Sequence, residues 1–446
     1  MRGQINLLYV GLAAVVAATS GLLFGFDIAV INGALLLLRE QFQLGELQTE
    51  VAASALLAGC IVGAAIAGYW SDRAGRRRVL IYSAILFTLS SIGAALPRNL
   101  VEFVIARLFG GVAIGAASVL APLYIAEIAP AHMRGRLVSM NQMAIVTGIL
   151  LAYLVNWGLA WTGPSAWRWM FAVAAIPSVF FLVALFFVPE SPRWLTEQKR
   201  EDEALDVLTR VSGPAIAAAQ MAEIRESISE ESGTFAELLQ PGYRRALLLA
   251  VALAVLQQWA GVNTVLFYGA VIMKEQVGGQ SAASAIGANV FIGLINFVFT
   301  VLSMWLIDKV GRRPLLIVSA SGMLVAHLGL AFAFRMTPIP GMLIIGLMLL
   351  CVASFAVGLG TGVWVVLSEI FPTRIRGLAM SIATVSLWSA CVALTFTYLS
   401  IASALGPTGA FLIYAVMCAV IIVVVLKWTP ETKGQTLEQI ERAWRR

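Results

Sequence analysis

Histidine and cysteine are the scarcest reactive residues of this 446-residue chain, at two and four copies. His132 and His327 are too few for a metal centre or for histidine-based catalysis. Cys60, Cys351, Cys391 and Cys418 each fall in an apolar run, without the spacing of a metal site or disulfide framework, and read as small packing residues. Charge is short as well. Charged residues make up 12% of the chain and hydrophobic ones 60%, which excludes a water-soluble globular protein. The net charge of +6 therefore points to cationic loops beside membrane spans, and nucleic acid is excluded as a partner. No cluster of acids, bases and nucleophiles suggests an enzyme, and no cofactor or metal is expected. A signal-peptide core is also missing. The apolar stretch from Leu7 to Leu38 is far longer than one and carries Asp27, so it reads as a retained first helix.

What the chain has in abundance is apolar runs of membrane-crossing length. Twelve spans are expected, at about 7–38, 49–70, 78–97, 100–125, 137–161, 167–188, 244–273, 283–307, 314–334, 340–369, 377–402 and 406–428. One polar interval, Glu190 to Tyr243, separates six spans from six, with short surface helices expected around Glu201–Arg210 and Met221–Glu231. The division is thus 1–189, a helical linker 190–243, 244–429, and a terminal helix 430–446. With both termini on the cytoplasmic side, that side receives 24 of the 30 lysines and arginines, a bias that sets an N-in, C-in topology.

The chain also repeats itself. Asp72-Arg73-Ala74-Gly75-Arg76-Arg77 returns as Asp308-Lys309-Val310-Gly311-Arg312-Arg313. Glu127-Ile128-Ala129-Pro130 returns as Glu369-Ile370-Phe371-Pro372, and Pro189-Glu190-Ser191 as Pro430-Glu431-Thr432, all at nearly one offset. The molecule is two related six-helix halves. Such repeats imply a substrate site between halves, reached alternately from each side.

These motifs resemble the sugar porter family of the major facilitator superfamily. The resemblance runs from about Gly21 to Glu441 and includes Gly21–Asp27, both Gly-Arg-Arg loops, Arg107 with Gly111 and Gly115, Pro189–Leu195, Gln257-Gln258 with Gly261 and Asn263, and Pro430–Gly434. It implies an all-α major facilitator fold and a neutral monosaccharide, glucose or another hexose or pentose, taken up with a proton across the cytoplasmic membrane by a monomer in a lipid bilayer. A polyol such as myo-inositol, or uncoupled sugar transport, is the alternative. A sugar needs amides for its hydroxyls, since each amide end both donates and accepts. Gln142, Gln257, Gln258, Asn263 and Asn296 lie in apolar spans, and the family's sugar contacts map onto them together with Trp364 and Trp388. Phe24 and Tyr268 are further candidates. Gln257 and Gln258 are neighbours and diverge by about 100° on a helix, so both face one cavity only if that helix lines it obliquely or is locally broken, as Gly261 would allow.

Asp27 and Arg107 are read as the acid and base inside the spans of the first half and as each other's partner. A neutral substrate leaves the carboxylate free to bind the coupling proton. The charged residues at the helix ends, Arg73, Arg77, Glu127, Arg134 and Glu190 in one half and Arg312, Arg313, Glu369, Arg376 and Glu431 in the other, are expected to form ion pairs across the cytoplasmic mouth, a gate that stabilises the outward-open state and breaks in the inward-open one. Gly111 and Gly115 are expected to let spans two and four approach closely. Span ten departs from its relatives: Leu359, Thr361 and Val363 stand where prolines are frequent, so glycines must supply its bend. Leu387 stands where an amide is frequent, and Phe267 where a tyrosine is.

Overall fold

The computed structural model describes residues 7–129, 134–229, 235–277 and 281–433. His132, the Arg134 side chain and the expected helix beyond 433 lie outside the described residues. The helices of the first half are α1 (Leu7–Phe42), α2 (Glu46–Ala74), α3 (Arg76–Ala95), α4 (Leu100–Ile128), α5 (Arg134–Leu159), α6 (Ala166–Val173) and α7 (Ala175–Leu185). The linker folds as α8 (Pro192–Glu197), α9 (Glu201–Ser212), α10 (Pro214–Ser229) and α11 (Phe235–Leu238). The second half comprises α12 (Pro241–Trp259), α13 (Val262–Val271), α14 (Ala282–Val310), α15 (Arg312–Ala333), α16 (Gly341–Val357), α17 (Leu359–Glu369) and α18 (Thr373–Trp428).

Eleven of the described helices, counting those that run on through a bend as one, are long and apolar enough to cross a membrane. The last, at 54 residues, would be about 80 Å long at 1.5 Å per residue, far more than one bilayer. It is broken at Gly406 (φ 71°, ψ 164°), with Pro407 following, and so holds two spans. Among the described residues the count is twelve, as the apolar runs indicate. Large apolar side chains face outward along the bundle, with Phe187 68% and Phe332 67% exposed, as lipid-facing positions require.

Local chemistry starts the helices where the sequence allows. Asn99 Oδ1 accepts the Glu102 N–H at 3.0 Å while Glu102 reaches back to the Arg98 N–H, a reciprocal cap on α4. Ser191 caps α8, with Pro192 at the first helical position where no N–H is needed.

Two compact units emerge from the packing: Met1–Ile28 with Ala58–Ile149 and Phe171–Glu231, and Ala29–Leu57 with Leu150–Met170 and Ser232–Arg446. They cut across the sequence halves, because parts of α1, α2 and α5 pack with the second-half helices. In the first unit, α2 and α4 touch backbone to backbone. A Cβ on Gly59 or Gly63 would strike the carbonyl of Leu108 or Val112, and one on Gly115 would strike the Cys60 backbone. Small residues are what let two helices come this close where lipid offers no hydrophobic drive.

A Gly115→Val substitution therefore forces α2 and α4 apart. Overpacking of this kind costs about 1–3 kcal/mol. The expected result is a lower thermal midpoint in detergent; an unchanged midpoint and elution profile would contradict the close contact.

Candidate functional site

The charged motifs of the two units are built from the repeat. Gly75 (φ 98°) and Gly311 (φ 103°) precede α3 and α15, and a glutamate carboxylate occupies the place where a Cβ would stand on either one. Glu190 Oε1 accepts the N–H of Arg77 at 3.0 Å and of Ser191 at 2.9 Å. Glu431 accepts the N–H groups of Arg312 at 3.1 Å, Arg313 at 3.0 Å and Lys433 at 2.9 Å. Each glutamate thus supplies negative charge to the N-terminus of a spanning helix. The arginine side chains serve the opposite polarity. Arg77 donates to the carbonyls of Leu185 and Phe186 at the end of α7, and Arg313 to those of Val425 and Leu426 near the end of α18.

The first arginine of each loop is the hub of an ion cluster. Arg76, 5% exposed, meets Glu127 at 3.2 Å, Asp72 at 3.2 Å and Glu197 at 3.8 Å. Arg312 meets Glu369 at 3.0 Å and Asp308 at 3.4 Å, and Glu369 also accepts from Thr432. Each of these pairs closes inside its own compact unit, with Glu197 of the linker among them, and not across the mouth as the sequence suggests. Arg73 lies over the Tyr69 ring and Arg376 donates to the Phe371 carbonyl. Arg76 was not singled out as a gate residue in the sequence, although the repeat maps it onto Arg312.

Deeper in the first unit, Arg107 and Asp27 are 1% and 3% exposed and form a hydrogen-bonded ion pair through Asp27 Oδ1. A second guanidinium nitrogen donates to the Asp27 carbonyl at 3.1 Å, and the guanidinium lies 5.1 Å from the Phe171 ring centre. The other carboxylate oxygen, Oδ2, is buried without a hydrogen-bond partner among the described residues. A carboxylate held on one oxygen and bare on the other has room for one proton. Phe24 and Gln142, both half-buried, belong to the same unit.

The remaining amides lie in the second unit, and three of them form a chain. Asn263 donates to Gln258 Oε1 at 2.5 Å, Gln258 to Gln257 Oε1 at 3.5 Å, and Gln257 to the Leu359 carbonyl at 2.6 Å. Of the two geometries left open, the helix is broken: Gly261, in the left-handed region at φ 89°, separates α12 from α13. Only glycine fits there, since a Cβ would meet the Tyr414 ring at 2.6 Å. Span ten also bends without proline, at Gly358 between α16 and α17, where Ser319 Oγ accepts the Leu359 N–H at 3.0 Å. Asn263 additionally donates to Cys391 Sγ at 3.3 Å. Asn296, on α14, is 6% exposed. Trp364 is half-buried and Trp388 buried. Tyr268 is fully buried, its hydroxyl donating to the Thr395 carbonyl at 2.6 Å and its ring 5.1 Å from that of Tyr398. Phe267 is buried as well.

At the end opposite its own Gly-Arg-Arg loop, the second unit contains contacts that sequence reasoning missed. Asn32, fully buried on α1, donates to the Leu266 carbonyl at 2.7 Å and accepts the Ala270 N–H at 3.0 Å. Tyr153 donates to the same Leu266 carbonyl at 2.9 Å. Glu50, fully buried on α2, accepts the Ser400 N–H at 2.8 Å and its hydroxyl at 2.7 Å, with no ion pair among the described residues. At the rim, Arg39 pairs with Glu275 at 2.6 Å and Glu40 with Lys274. Arg39-Glu40 and Lys274-Glu275 are a basic-acidic dipeptide repeated at an offset of 235, close to that of the loop motifs. The repeat carried the signal, but charges near a helix end read equally well as solvated surface.

Comparison with known proteins agrees with this architecture. A family model described as sugar (and other) transporter matches residues 13–444. The D-xylose-proton symporter of Escherichia coli is 39% identical, the alignment covering 100% of this chain and 97% of that protein. The glucose transport protein of Synechocystis is 37% identical over 98% of each chain. A structure of the E. coli xylose transporter in a partially occluded inward-open conformation superposes with a TM-score of 0.86 at 36% identity, covering 96% of this chain and 100% of that one.

Two expectations follow from the end clusters. Partial burial pushes the Glu431 carboxyl up, but the N–H groups of Lys433, Arg312, Arg313 and Thr432 outweigh it and hold the group below the ordinary glutamate value. A depressed folded value means stability that is present at neutral pH and lost as pH falls through it. Glu431→Gln should therefore melt below the parent at pH 7, with the gap closing below about pH 4.3, the ordinary glutamate value. At the other end, Arg39→Glu should speed hydrogen exchange of residues 272–277, and adding Glu275→Arg should restore it. Exchange that ignores both changes would show the rim pair to be idle.

Proposed function

Since this chain belongs to the sugar (and other) transporter family, with the major facilitator fold and multiple membrane spans, we propose that it carries a neutral monosaccharide of hexose or pentose size into the cell together with a proton. The observation that carries the coupling is the buried Asp27–Arg107 pair with Asp27 Oδ2 left bare. A proton on Asp27 removes its attraction to Arg107, and that change in charge is what distinguishes two states of the same pair. An uncharged substrate makes no demand on the carboxylate, so the proton and the sugar do not compete for it. One proton crossing 100 mV supplies about 2.3 kcal/mol, enough for roughly fiftyfold accumulation of a neutral solute.

The sugar is held by amides and aromatics. Gln257, Gln258 and Asn263 are already linked to one another, which fixes their planes while leaving further donors and acceptors for hydroxyls. Asn296, Gln142, Trp364 and Trp388 complete the proposed site, with Phe24 a further contact. Tyr268 supports it through the Thr395 carbonyl.

The loop clusters lie on the cytoplasmic side in this reading, with both termini there, and the protein acts as a monomer in the cytoplasmic membrane. Arg73, Arg77, Glu127, Arg134 and Glu190, with Arg312, Arg313, Glu369, Arg376 and Glu431, form the gate of that side. Their bonds within each half tie the helix ends into bodies stiff enough to move as wholes. The Asn32, Glu50 and Arg39–Glu275 contacts then form the external closure.

The test is uptake of labelled D-glucose and D-xylose into liposomes with and without an inward proton gradient. The expected result is gradient-driven accumulation of at least one sugar. Asp27→Asn should keep sugar exchange within a few-fold and abolish accumulation. If the parent only equilibrates its sugar, the Asp27–Arg107 pair is structural and the protein is a facilitator. If neither sugar enters, the monosaccharide reading fails.

A further inference from the structure

The break at Gly261 that carries the amides has a second side, and His327 occupies it. His327 lies on α15 with no exposed surface. Its Nε2 is 2.7 Å from the Ala260 carbonyl, the last residue before the left-handed glycine. In an uninterrupted helix that carbonyl would accept from the amide four residues on. The turn at Gly261 ends the ladder there, and within a hydrocarbon layer a released carbonyl needs a donor from elsewhere.

The tautomer follows from the partners. A carbonyl can only accept, so Nε2 carries the hydrogen. Nδ1 is buried without a partner among the described residues, so a second hydrogen there would have no acceptor. The ring is held by Phe411, stacked at 5.9 Å, and by Tyr414 at 5.6 Å. Cys351 Sγ is 3.6 Å from Nε2, and Cys418 Sγ is 3.8 Å from the same Ala260 carbonyl. Tyr414 in turn packs on Gly261 and accepts from Thr264 Oγ1 at 2.8 Å, at the start of α13. Three helices thus converge on one carbonyl, and that carbonyl is two residues from Gln258 and three from Asn263.

We propose that His327 is a positioning residue of the substrate site: its neutral imidazole holds the broken span at Ala260 and so sets the placement of Gln257, Gln258 and Asn263. This rests on the amides binding the sugar, as proposed above. Without the imidazole, the carbonyl keeps only the long contact to the Cys418 thiol, and the break relaxes toward some other partner, moving the amides with it. The bound state loses alignment while the proton pair in the other unit is untouched. The effect therefore falls on the apparent sugar affinity rather than on coupling.

The experiment compares His327→Leu, which has no donor, with His327→Gln, whose amide can still donate to Ala260. A lost buried hydrogen bond at the hinge should raise the uptake KM about tenfold in the leucine variant, with Vmax and the dependence on the proton gradient near the parent's. The glutamine variant should return KM to within about threefold of the parent. His327→Met replaces the leucine variant if that protein fails to reach the membrane. Hydrogen exchange of residues 257–264 in the purified protein is read in parallel and needs no substrate. It should rise in the leucine variant and not in the glutamine one. An unchanged KM with unchanged exchange would overturn the proposal. Altered exchange with an unaltered KM would show that His327 holds the hinge but that the amides do not bind the sugar, which separates this inference from the function it rests on. Loss in both variants alike would make His327 a packing residue only.

Discussion

A hydrocarbon layer offers no water to a backbone carbonyl or amide, and most of this structure can be traced to that constraint. Straight helices meet it by themselves. The two bends in the second half do not, and each is answered by a specific side chain. At Gly261 the Ala260 carbonyl takes His327, and at Gly358 the Leu359 carbonyl takes Gln257 while its N–H takes Ser319. Gln257 therefore has two tasks, satisfying one break and, in the proposed reading, presenting an amide to the substrate. Gln257, Gln258 and Asn263 sit where their span is broken, and the break is what gathers these three polar groups.

The same constraint explains the repeated loop motifs. Each Gly-Arg-Arg turn opens a helix whose N–H groups lack partners, and each Pro-Glu motif returns from far along the chain to supply a carboxylate. The glycine is required twice over, by its positive φ and by the carboxylate lying against it. The second arginine then closes the C-terminal end of a neighbouring span. What looks in the sequence like a strip of topology-setting charge is a pair of interlocked caps, and the ion clusters of Arg76 and Arg312 stiffen each pair.

Buried ionic groups are few, and they divide by task. Asp27 and Arg107 neutralise one another, at the cost of leaving one oxygen bare. Glu50 has no cation beside it among the described residues and relies on two hydrogen bonds from Ser400. Its burial is tolerable only while those donors are in place, which makes the contact sensitive to any motion of α2 relative to α18.

The sequence by itself determined the span count, the two-half repeat, the close approach of α2 and α4, and the pairing of Asp27 with Arg107. Each rests on local chemistry or on scarcity: apolar length, a glycine where a Cβ cannot fit, or only one plausible partner for a buried charge. Tertiary structure alone decided which charges pair at the helix ends, because Arg76 and Arg77 are adjacent in the chain yet point to different elements. It also decided that Tyr268 and Gln257 bond to backbone carbonyls, that Asn32 and Glu50 clasp distant helices, and that His327 lies against Ala260. The Tyr268, Gln257, Asn32, Glu50 and His327 contacts join residues from 67 to 350 positions apart, and no local periodicity encodes which of many apolar helix faces will meet.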